Sequence, residues 1–86
     1  MTDLVDAYRQ KMCRNIAGVE QAQRLFAQVT AEYRDRFPDS VTAEYQARSD
    51  PRRRQAIGDD QYHTGLAVMY GVAALVEICL KHEEDR

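Results

Sequence analysis

Three groups of side chains in this sequence are of types that could do chemistry. The first is Asp59, Asp60 and His63. Asp59 and His63 are four residues apart, so on a helix they share a face and supply half of a metal site. The remaining ligands would have to come from elsewhere, and the other histidine, His82, stands about five helical turns further on. A helix-capping acid followed by a surface or interface histidine is the simpler reading, and no metal is expected. The second group is Arg48, Arg52, Arg53 and Arg54, gathered in "ARSDPRRRQ". Such a cluster could receive an anion, either phosphate of a nucleic acid or an acidic protein surface. The third is the cysteine pair, Cys13 and Cys79, which lacks the C-x-x-C spacing of a metal or redox site. Two free thiols are expected.

No Ser/His/Asp or Cys/His set has a local signature, and no Gly-rich phosphate loop is present. Glu83 and Glu84 pair two carboxylates in a tail where nothing would hold them. No catalytic residue and no cofactor are expected, and the chain reads as a non-enzyme.

The elements that must position these residues are helical. From Asp3 to Arg36 there is no proline and one glycine, Gly18. Val5, Tyr8, Met12, Val19, Ala22, Phe26, Val29 and Tyr33 alternate by three and four, with Asn15 filling the missing place. That is the spacing of a helix packed lengthwise on another, as in a coiled coil. Asn15 in such a seam either fixes register or turns to solvent. Thr2 or Asp3 can cap the start, and Pro38 biases Phe37 out of helical geometry. The expectation is a long helix over about 3–36.

A connector with short helical pieces is expected over about 40–57, started by Asp39 or Ser40 and restarted at Asp50-Pro51. Gly58 is read as a break, with Asp59 or Asp60 as a fresh cap. A long buried helix then covers about 60–82, and 83–86 fray, because acids oppose the dipole at a carboxyl end. Tyr62, Leu66, Met69, Ala73, Val76 and Leu80 alternate by four and three. Val68, Val72, Leu75, Ile78 and Cys79 make the other faces apolar too. A helix apolar all round must be covered on more than one side. Tyr8, Tyr33 and Tyr62 are expected in the seams, and Tyr45 and Tyr70 away from them. If the hairpin turn is counted from Asp60, Cys79 falls within a turn of the level of Cys13.

The chain of 86 residues is expected to form one domain over 1–86, all-α. Its architecture is a long antiparallel helical hairpin with a short helical connector. So small a chain cannot cover its own last helix. A homodimer forming a four-helix-type bundle is therefore expected, with Tyr62, Leu66, Met69, Val72, Ala73, Val76 and Leu80 at the interface. The size and hairpin form resemble small secreted helical-hairpin proteins, but their Trp-x-Gly turn is absent, as is any Trp.

A net charge of −2 and a pI near 5.6 do not suit a general nucleic-acid coat. The arginine cluster also opposes the dipole of the helix it begins, and neighbouring acids such as Asp39, Glu44 and Asp50 could offset that. Exposed arginines would contribute little to stability, so their loss should leave the fold unchanged. The apolar run Gly65–Leu80 is 16 residues long and includes Glu77, short of the roughly 20 a spanning helix needs, so no membrane is expected. "MTDLVDAYRQ" has no signal-peptide pattern, and the expected compartment is the cytoplasm. Together these features predict a non-enzymatic, homo-oligomeric protein-interaction module: an adaptor, a small assembly subunit or an inhibitor of a larger machine. Its further protein partner is unidentified. The second reading is a nucleic-acid-associated protein using the Arg48–Arg54 cluster.

Overall fold

The computed structural model of the chain describes residues 3–84. Among them are α1 (Leu4–Arg36), α2 (Ser40–Arg48) and α3 (Pro51–Glu84). α1 and α3 lie against each other as an antiparallel hairpin, α2 closes the turn, and the whole measures 64 × 21 × 16 Å.

Each boundary has a local cause. The Asp3 carboxylate accepts from the Val5 amide at 3.3 Å and caps α1. Phe37, ahead of Pro38, is extended at φ −117° and ψ 122°, which ends α1. Asp39 accepts from the Thr42 amide at 3.2 Å and the Thr42 hydroxyl at 2.8 Å, starting α2. Asp50 accepts from the Arg52 amide at 2.8 Å and caps α3, with Pro51 in the first helical position.

The helix does not break at Gly58, contrary to the sequence reading. α3 passes straight through it and is one 34-residue element. A lone glycine costs a helix about 1 kcal/mol relative to alanine. Packing on both sides outweighs that, since Ala56 is fully buried and His63 is half-buried against α1. The connector is correspondingly shorter, and the helix continues through Glu83 and Glu84, so fraying does not begin there. Residues 85 and 86 of the expected tail lie outside the described residues.

The α1 seam is the one its spacing predicts: Val5, Tyr8, Met12, Asn15, Val19, Ala22, Phe26, Val29 and Tyr33 are all buried or half-buried. The face that α3 turns to it is another matter. Ala56, Asp60, His63, Ala67, Tyr70, Ala74 and Glu77 are buried or half-buried, a small and polar row. Tyr70 stacks on Tyr8 with ring centroids 6.3 Å apart, whereas Tyr62 is 64 % exposed. The two tyrosines have thus exchanged their expected places. The sequence reading followed the larger apolar residues, but alanine and polar positions let the two backbones approach, and the larger residues point away.

Register is fixed by polar contacts. The Tyr33 hydroxyl donates to Asp50 at 2.9 Å near the turn, and Lys81 pairs with Asp3 at the open end. Between them, His63 Nδ1 and Asn15 Oδ1 are 2.8 Å apart. The Asn15 amide nitrogen donates to the Lys11 carbonyl at 2.8 Å, which leaves its oxygen for His63 and assigns the imidazole proton to Nδ1. Asn15 therefore acts in register rather than facing solvent. Since α3 begins at Pro51 and not Asp60, the levels expected of the cysteines shift. Met12 lies opposite Gly71, so Cys79 stands about nine residues, or about 13 Å, beyond the level of Cys13. Both thiols are free and exposed.

The core of the single chain is thin. Its fully buried apolar residues, among those described, are Ala22, Val29, Ala43, Ala47, Ala56 and Ala74. Five of the six offer only a methyl group, so little apolar area leaves water through them.

Candidate interaction surface

The arginine cluster lies at the turn, where the fold brings acids to it from α1 and α2. Arg52 bonds Glu32 at 2.7 Å and Asp50 at 3.0 Å. Arg53 grips Glu44 with both terminal nitrogens, at 3.0 and 2.5 Å. This paired geometry suits a guanidinium and a carboxylate and is among the stronger charge-assisted contacts. Arg53 is only 7 % exposed; its Cζ stands 4.2 Å from the Phe26 ring centroid, and its buried Nε has no hydrogen-bond partner. Arg48 reaches Glu44 at 3.4 Å from an exposed position. Arg54 is exposed and makes no ion pair among the described residues. Glu44 is pulled down to about 2 by its Arg53 hydrogen bonds, with Arg48 adding to the effect. Asp50 is held well below the ordinary carboxylate range by the Arg52 side chain and amide, and Glu32 is lowered by Arg52.

This geometry revises the expectation that the arginines are expendable to the fold. Arg52 and Arg53 lock the turn through Asp50 and Glu44, neighbours that the sequence offered as partners, and through Glu32, which the fold brings from α1. The charge placed at the amino end of α3 is answered there by Asp50, Glu44 and Glu32. Neither Asp59 nor His63 joins a larger ligand group: His63 turns to Asn15, and Asp60 accepts from Thr64 at 2.9 Å. Among the described residues no three His, Cys, Asp or Glu side chains gather into a metal-holding cluster.

The outer side of α3 is an extended exposed apolar surface. Of the residues named from sequence for an interface, Tyr62, Met69, Val72, Val76 and Leu80 are exposed, while Leu66 and Ala73 are half-buried on the flank beside α1. Val68, Leu75 and Ile78, not placed in that interface, are exposed as well. They continue across a shallow groove of about 560 Å³ to Met12 and Ile16 of α1. A second groove of about 650 Å³ runs between Phe26 and Ile57 nearer the turn. The helix expected to be buried is, in the single chain, apolar and open.

α3 also meets the length and composition of a membrane-crossing helix, with an 18-residue window of mean hydropathy 1.6, of which 6 % is buried. Its apolar half lies beside the first half of α1, which carries exposed Asp6, Arg9, Lys11 and Arg14. The chain matches no family model, no curated protein and no solved structure.

Proposed function

We propose that the protein is a non-enzymatic interaction module whose working surface is the outer face of α3. One observation carries this reading: the large apolar residues of α3 point away from α1, over a core of five alanines and one valine. Contiguous exposed apolar surface of this kind marks a contact site. The charges of α1 beside the apolar half of α3 favour a protein partner, because a lipid interior would have to accept them as well. The nucleic-acid reading of the arginine cluster has less support, since Arg52 and Arg53 already hold acids of their own chain.

The test is the size of the native particle in an extract of the protein's own cells. The chain should sediment well above 9.9 kDa. Met69→Lys places a charge on the outer face and should release a helical 9.9 kDa chain. A wild-type chain that sediments alone would refute the reading.

A further inference from the structure

Resting on that reading of the outer face of α3, we infer that its occupant is a second copy of this chain, laid antiparallel along the same face. The resulting particle is a four-helix bundle with the two α3 helices at its centre.

The exposed area fits one further copy. The chain exposes 6550 Å². A compact monomer of this mass exposes about 5200 Å², so the hairpin carries roughly 1,300 Å² more than a self-sufficient fold. A standard interface covers about 800 Å² per partner, and obligate homodimers cover more. One further copy is therefore the right size to cover the excess.

The shape of the outer face sets the orientation. Opposite its α1 seam, α3 carries two interleaved rows with seven-residue spacing. One runs from Gly58 through Gly65 and Val72 to Cys79, the other from Tyr62 through Met69 and Val76 to Glu83. Every member of both rows is exposed. Seven-residue rows of this kind are what a lengthwise helix pair needs. A parallel pair would set each residue against itself. Gly65 would face Gly65, leaving a void, and Tyr62 would crowd Tyr62. An antiparallel pair sets one row against the other. Gly65 then meets the partner's Val76, Tyr62 meets the partner's Cys79, and Met69 meets the partner's Val72. Nothing lies within 4 Å of a Cβ built at Gly65, so the space a larger residue would enter is open in the single chain.

Charge favours the same orientation. The exposed end of the stripe near the turn carries Arg54, and the other end carries Glu83 and Glu84. The antiparallel pair brings the partner's Glu83 to Gly58, one turn from Arg54. The parallel pair brings like charges together at both ends and aligns the two helix dipoles unfavourably. The antiparallel particle is also bipolar, with the two α2 turns, and the exposed Val41 and Tyr45 on them, at opposite ends.

The test uses the purified full chain with Cys13→Ser, Cys79→Ser and His82→Cys, carrying a nitroxide at the new thiol. Light scattering should give twice 9.9 kDa, and circular dichroism should report the wild-type helicity. Pulsed dipolar spectroscopy should give one distance of about 35 Å, the axial offset of the two labels in this register. Moving the label to Gln55→Cys should lengthen it to about 45 Å. A dimer with label distances under about 20 Å at both sites is parallel and overturns the inference while leaving the interaction surface in place. A purified chain that is monomeric, whether free or carried down by phosphatidylcholine vesicles, also overturns it. In that case the particle in cell extract still decides whether α3 docks on a different protein.

Discussion

Gly18 is the glycine that the opposite helix approaches most closely. A Cβ built there falls 2.6 Å from both Cγ and Cδ2 of His63 and 2.8 Å from its Nδ1. These are approaches that real carbon atoms do not make. The imidazole cannot swing aside freely, because Nδ1 is bonded to Asn15 and Tyr62 packs against the ring edge with centroids 5.1 Å apart. Gly18→Ala therefore sets two effects against each other. Alanine favours the helix by about 1 kcal/mol over glycine. Forcing a methyl group into a filled site costs about 1–3 kcal/mol, and displacing the ring forfeits a hydrogen bond of about 1 kcal/mol. The loss outweighs the gain, and Gly18→Ala should destabilise by about 1–3 kcal/mol, a fall of about 4–8 °C in Tm for each kcal/mol in a chain of this length. The decisive measurement is the same substitution in a His63→Ala background. With the ring gone, only the helical preference remains, and Gly18→Ala should stabilise by about 1 kcal/mol. Thermal denaturation followed by circular dichroism at one fixed concentration reads both backgrounds. If Gly18→Ala raises Tm in the native background, or lowers it equally in both, the close approach of His63 is not what keeps glycine there.

Gly58 offers the converse case: nothing lies within 4 Å of a Cβ there. Gly58→Ala should raise helix stability by about 1 kcal/mol in urea titrations, and a loss would mean either that the helix is not continuous there or that the partner copy fills the space. Arg53→Gln leaves Glu44 without its main partner and should cost about 2 kcal/mol by urea denaturation, whereas Arg54→Gln should change the midpoint little. Equal effects would contradict the turn geometry. The lowered carboxylates also set an acid limit. Glu44, Glu32 and Asp50 are ionised and paired above the ordinary carboxylate range, so their full contribution is present at neutral pH. The Glu44 share is lost as pH falls from the ordinary glutamate value near 4.5 toward about 2, where Glu44 finally takes a proton, and the Asp50 share persists to lower pH. Tm should drop across that window, and Glu44→Gln should flatten the drop.

The sequence alone settled the helical class, the long first helix and the full α1 seam. Those rest on local rules: caps at Asp3, Asp39 and Asp50, a stop at Pro38, and a three-four spacing that any lengthwise helix contact demands. It also showed that the last helix carries more apolar surface than one hairpin can hide. What it could not show was which side of that helix would meet α1. The apolar stripe with the larger residues was the natural choice, but the tertiary structure turned Ala56, Ala67 and Ala74 inward with His63 and Tyr70. Several faces of α3 are apolar, so spacing along the chain does not choose between them. The choice is made by partners distant in sequence, by Asn15 meeting His63 and Tyr8 meeting Tyr70. The arginines show the same division. Their number and place at a helix start are plain in the sequence, while their pairing with Glu32 and Glu44 exists only because the turn folds α1 and α2 onto them.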